Sequence, residues 1–250
     1  MLHDPYFWAA AIPAVIMVGL SKGGLGPLGG LAVPILSLVI SPVQAAGLTL
    51  PIFVMSDVVA VISYRRFFDA RILLVMLPAG VVGILIGWGT ARWVNDDAVR
   101  LIVGLVSVLF ALNYWLRGRL VLEPTKPSTP KGAGWGAVAG FTSFVSHSGG
   151  APFQMYVLPL RLAPRVFAGT STMFFAAVNA LKLPPYFFLG QFKTANLQAA
   201  ALLAPLSIAC ALGAVRLVKV IDPTVFYRIV YVLMFGIGLF LIGQAAVDLI

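Results

Sequence analysis

The heptapeptide SKGGLGP, Ser21 to Pro27, interrupts an apolar segment, and SHSGGAP, Ser146 to Pro152, interrupts another in the same way. The two breaks lie 125 residues apart. At that offset Gly24 aligns with Gly149, Pro27 with Pro152, Pro34 with Pro159, Phe67 with Phe192 and Ala70 with Ala195; a two-residue slip then brings Pro78 onto Pro205. The pattern is an internal duplication. Interrupted helices at corresponding positions of two halves point to a binding site built at the repeat interface of a transporter.

Composition sets the solvent. Hydrophobic residues make up 60% of the chain and charged residues 10%, with a mean hydropathy of +1.00. A chain of this kind has no means of covering itself with a water-facing surface and belongs in a bilayer. The apolar segments fall at about 5–20, 27–40, 44–64, 71–93 and 98–116 and again at 133–146, 152–162, 165–190, 196–218 and 224–248. The sole cysteine, Cys210, lies within one of them, so no intramolecular disulfide and no CxxC metal motif is available. No metal or other cofactor is expected. The first twenty residues lack a basic leader region and read as part of the mature fold.

A helix needs about 20 residues at 1.5 Å each to cross the hydrocarbon core. The first two segments of each half are shorter, which predicts a re-entrant hairpin followed by three spanning helices in each half. The expected divisions are an N-terminal membrane repeat, 1–116, a linker, 117–131, and a C-terminal membrane repeat, 132–250. Basic residues test this arrangement, because Lys and Arg collect on the cytoplasmic side. With hairpins that return to the side they entered, the cytoplasmic face holds Arg65, Arg66, Arg71, Arg117, Arg119, Lys126, Lys131, Arg161, Arg165, Arg216, Lys219 and Arg228. Those are 12 residues, against 3 outside, Arg92, Arg100 and Lys193. If each short pair crossed once instead, the count would be 8 against 7. The hairpin arrangement also makes the halves inverted, with both termini and the Asp96–Asp97 loop outside. It accounts for most of the net charge of +9, so nucleic acid is not needed as a partner.

Four ionisable groups remain at membrane depth: Lys22, Asp57, His147 and Lys182. A charge near the bilayer centre costs at least about 2.5 kcal/mol, so such groups face a cavity or a partner. The 125-residue offset places Lys22 on His147 and Asp57 on Lys182. Either lysine could instead snorkel to an interface, Lys182 more readily because Pro184 and Pro185 follow it near an expected helix break. Asp57 either forms a structural ion pair with a lysine or binds a coupling proton. His147 either makes core hydrogen bonds or handles ligand and proton.

The glycine tips supply backbone N–H groups of Gly23, Gly24, Gly149 and Gly150, backed by helices whose positive dipole ends point the same way, an arrangement suited to an anion. Close helix packing is the competing use of these glycines. Ser21, Ser146, Ser148, Thr170, Ser171 and Asn179 would complete the shell with neutral hydrogen bonds. No GxxxxGK[ST] loop and no GxSxG motif occurs, so neither ATP hydrolysis nor a serine hydrolase is expected.

GLSKGGLGPLGGLAVPIL (Gly19–Leu36), SHSGGAPFQMYVLPL (Ser146–Leu160), AGTS (Ala168–Ser171) and LPPYFFLGQF (Leu183–Phe192) together resemble the TauE/SafE family, over nearly the whole chain. The resemblance implies a multi-pass transporter of the bacterial inner membrane that exports a small sulfur-containing anion such as sulfite, sulfoacetate or another organosulfonate. Many members have glycine runs where this chain carries Lys22 and His147, a departure that adds positive potential at the tips. A homodimer is one assembly such a chain could form.

Overall fold

The computed structural model describes residues 4–91, 93, 96–116 and 125–248. Every element among them is helical. In order they are α1 (Pro5–Lys22), a 3-10 segment (Gly26–Leu31), α2 (Ala32–Leu36), α3 (Pro42–Tyr64), α4 (Ala70–Thr90), α5 (Asp96–Leu116), α6 (Thr129–Ser146), α7 (Gly150–Val157), a 3-10 turn (Leu158–Leu160), α8 (Pro164–Phe188), α9 (Thr194–Val220) and α10 (Pro223–Asp248). Helices α1, α3, α4, α8, α9 and α10 are long and apolar enough to cross a membrane. Leu74, Leu109, Phe187 and Leu202 are each more than 60% exposed, which suits side chains that meet lipid. The protein is an all-helical integral membrane protein.

Local chemistry sets the boundaries. Asp4 and Asp69 cap α1 and α4 by accepting from the N–H groups of Tyr6 and of Arg71 and Ile72. Helix α6 begins at Thr129, inside the expected linker, because Pro130 fits the first turn where its missing N–H is not needed. Residues 117–124 of that linker lie outside the described residues, as does Arg92. The single helix expected over 27–40 is instead a 3-10 segment and the five-residue α2, since Gly26, Gly29, Gly30 and Pro34 weaken regular α-helix. The break expected near Pro184 and Pro185 is absent, and α8 continues to Phe188. Helix α1 has 18 residues and spans about 27 Å, the lower limit of a crossing, although the sequence pattern makes it half of a hairpin.

After α1 the chain folds back, and Gly26–Leu31 and α2 pack on it; α7 folds back on α6 in the same manner. Helix α1 packs on α9 and α6 packs on α4, while α3 packs on α8 and α5 on α10. This pairing is unchanged when equivalent elements of the two halves are exchanged. The α4–α6 contact is backbone to backbone: a Cβ on Gly83 would lie 2.0 Å from Ala137 O, and one on Gly140 would lie 2.1 Å from Gly80 O. Small residues permit that approach and the dispersion contacts that replace a hydrophobic driving force in lipid.

Candidate functional site

The two glycine breaks meet at one cavity. Ser21 and Lys22 line it from the end of α1, Gly26, Gly29 and Gly30 from the 3-10 segment, Ser143 and His147 from the end of α6, and Gly150 from α7. Phe53 of α3 and Ser171, Thr172, Phe175 and Asn179 of α8 complete the wall. Phe53 lies eleven residues from either end of α3, about 16 Å, and Phe175 is near the centre of α8, so the cavity sits at mid-height of two long helices. About 40 Å³ is open to the centres of water-sized molecules, room for about three waters at 10–15 Å³ each. A ligand held here is small.

Lys22 Nζ lies 2.7 Å from Asp57 Oδ1, with both side chains about 5% exposed, so neither snorkelling nor solvation accounts for the lysine. Asn179 Nδ2 donates to Asp57 Oδ2 at 2.7 Å. The ammonium also sits 4.8 Å from the centre of the Phe53 ring and 5.9 Å from that of Phe175. Phe53 in turn stacks on His147, with centroids 5.5 Å apart and planes at 15°. One ring therefore touches the basic residue of each glycine break.

His147 ends α6 in the left-handed region, at φ 53°, and Ser148 N–H reaches back to Thr142 O. Ending the helix there frees carbonyls of its last turn. Lys182 Nζ donates to Ser143 O and Ser143 Oγ, each at 3.1 Å, and lies 3.3 Å from His147 Nδ1. Tyr186 Oη donates to Phe144 O at 3.1 Å and lies 2.9 Å from His147 Nε2. The donor inventory orders this chain. Tyr186 has one hydroxyl hydrogen, and Phe144 O can only accept. His147 Nε2–H therefore donates to Tyr186, and Nδ1 accepts from Lys182. All three ammonium hydrogens of Lys182 have acceptors, and its charge faces the negative end of α6. Lys182 is completely buried behind His147 and does not line the cavity.

Ser171, Phe175, Asn179, Lys182 and Tyr186 recur every three or four residues along α8 and form its inner face. Of the expected site residues, Ser21, Lys22, His147, Gly150, Ser171 and Asn179 line the cavity, and Asp57 and Lys182 stand directly behind. The others lie elsewhere. Gly23 and Gly24 donate their N–H groups to Gly19 O and Ser21 O, so those groups are not directed at a ligand. Gly24 has φ +123°, and a Cβ there would lie 2.9 Å from Ala168 and Val218. A Cβ on Gly149 would lie 2.4 Å from Ala139 O. These three glycines serve the turn and close packing. Ser146 and Ser148 donate to Thr142 O and Ser146 O, and neither hydroxyl is bonded to the His147 ring. Thr170 accepts from Asp69 N–H and ties the turn after α3 to α8.

Phe53, Ser143, Phe175, Tyr186 and Gln154 complete the neighbourhood, and sequence reasoning missed all five. Gln154, one turn after Gly150 on α7, is 1% exposed, and neither polar atom of its amide has a hydrogen-bond partner among the described residues. A Cβ at Gly26 would lie 3.1 Å from its Nε2, so the amide abuts the cavity wall.

A family model described as sulfite exporter TauE/SafE matches residues 11–241. Neither the curated proteins nor the solved structures provide a match. The family match covers both glycine breaks, Lys22, Asp57, His147 and Lys182, and the cavity between them, and the chain belongs to the sulfite exporter TauE/SafE family.

Proposed function

We propose that the cavity is the substrate site of a secondary transporter that exports a small sulfur-containing anion, such as sulfite, sulfoacetate or another organosulfonate, across a bacterial inner membrane. The observation that carries this reading is the convergence of Lys22 and His147, from equivalent breaks in the two halves, on one small cavity at mid-height of α3 and α8. With His147 neutral, the two lysines and one aspartate leave a single positive charge around the cavity. A monovalent sulfonate balances that charge. A dianion leaves one negative charge over, which a proton taken up at His147 Nδ1, with the Lys182 ammonium released from that nitrogen, would cancel, and this is how the same residues would couple export of a divalent anion to proton movement.

Lys22 and Asn179 would bind oxyanion oxygens by shifting their hydrogen bonds partly away from Asp57, and Asp57 would hold the lysine in place. Gly150 N–H, at the start of α7, adds a backbone donor. Gln154 would gain the partner its amide lacks; an unpaired buried amide costs about 1–3 kcal/mol, which binding recovers. Lys182 positions His147. Alternating access would follow from rocking one repeat against the other. The exchange-invariant helix pairing supports two related repeats, and the excess of basic residues on one side supports their inverted orientation, with both termini periplasmic.

Proteoliposome flux of sulfite, sulfoacetate, taurine, sulfate and matched carboxylates tests the proposal. The expected result is saturable transport of a sulfur anion, with more protons moved per divalent than per monovalent ion. Flux that rises with potential without saturating would make the protein a channel instead.

A further inference from the structure

A second cavity lies on the other side of the His147–Tyr186 hydrogen bond. It offers about 120 Å³ to water-sized molecules, three times the space of the first. Its wall includes Arg100, Ser146, Tyr186, Gln191 and, toward the end of the bundle, Val43. Arg100 is among the charges that the sequence pattern assigns to an outer loop, yet it is 3% exposed. Val43 is the second residue of α3, ten residues or about 15 Å along the axis from Phe53 of the first cavity. Two side chains in contact separate the cavities there: His147 lines the first, Tyr186 lines the second, and their polar atoms are 2.9 Å apart.

We propose that this second cavity is a staging site for the same small anion, with Arg100 as its charged ligand and the Tyr186–His147 pair as the partition the anion passes. The inference rests on the anion-transport reading of the first cavity. A buried guanidinium is costly in a membrane protein and marks a solute path more often than a packing contact. Its five donors in a planar fork can keep a structural partner and still present a bidentate edge to an oxyanion. Two sites at different depths also let the anion be bound without being trapped, since the site nearer the end of the bundle divides one long transfer into two short ones.

Calorimetric titration of the purified protein in nanodiscs with sulfite, and separately with sulfoacetate, tests this. The wild type should show two binding events for at least one of these anions. Arg100→Gln should lose one of them, by roughly tenfold to a hundredfold in affinity, while keeping the Lys22-dependent event, and Arg100→Lys should weaken it less. Val43→Trp, at a position 61% exposed and therefore tolerant, narrows the mouth with Arg100 intact and should slow or remove the same event. A single event that Lys22→Met abolishes and that Arg100→Gln and Val43→Trp leave unchanged would overturn the staging site while sparing the first cavity. If Arg100→Gln does not fold, two unaltered events in Val43→Trp overturn it equally. A wild type that binds neither anion would overturn the reading of the first cavity as well.

Discussion

Replacing Asp57 with leucine leaves the Lys22 ammonium, 6% exposed, without its counter-ion at 2.7 Å, and Asn179 without the acceptor its amide now reaches. Removing one member of a buried ion pair costs about 3–5 kcal/mol, because the survivor stays buried and uncompensated. The stranded Asn179 donor adds about 1–3 kcal/mol. Against a typical stability of about 5–15 kcal/mol, that is a severe loss. Lys22→Met combined with Asp57→Leu removes both charges at similar volume. The ion-pair cost should then vanish, leaving only the Asn179 contribution. Thermal unfolding in detergent should therefore place the double variant well above Asp57→Leu and close to the wild type. Anion binding, measured on the same samples, should be lost in the double variant despite its recovered stability. If the double variant binds sulfite or sulfoacetate with wild-type affinity, the pair is structural and the assignment of Lys22 to the ligand fails. If single and double variants melt together, the two residues are not coupled.

His147→Gln should retain the fold, since Lys182 and Tyr186 keep a hydrogen-bonding neighbour, but flux of a divalent anion should lose its proton dependence; fluorescence of a pH dye trapped in proteoliposomes reports this. Gly24→Val should lower the melting temperature, because the residue sits at φ +123° and its new atoms would meet Ala168, Val218 and Tyr64. An unchanged melting temperature with lost binding would instead return Gly24 to the ligand. Cysteines placed at Arg65 and Lys126 should label from the same side of the membrane; labelling from opposite sides would end the inverted-repeat reading.

Much of the site is legible in the sequence because charge is so rare in apolar segments. Lys22, Asp57, His147 and Lys182 stand out for that reason alone, and the 125-residue offset already pairs them. Phe53, Phe175 and Tyr186 are missed because aromatic residues in a membrane chain mostly face lipid, so their type carries no signal. The recurrence of Asn179, Lys182 and Tyr186 at three and four residues along one helix face was the available clue. Gly23 and Gly24 are misread in detail because the sequence gives the break but not the direction of its N–H groups, which depends on where α1 ends. Arg100 is taken for a loop charge because Asp96 and Asp97 precede it; only the packed structure shows a second-turn residue turned inward. Gln154 gives no signal of its own, since one amide in a short apolar helix reads as a surface residue.

The site between the two glycine breaks is proposed to hold a small oxyanion. Selenite has the shape and charge of sulfite and scatters anomalously, so crystals soaked in it locate the ion directly. An anomalous peak is expected within hydrogen-bond distance of Lys22 Nζ or Asn179 Nδ2 and beside His147. A peak confined to other parts of the protein, with the cavity between Lys22 and His147 showing none at a concentration that saturates transport, would contradict it.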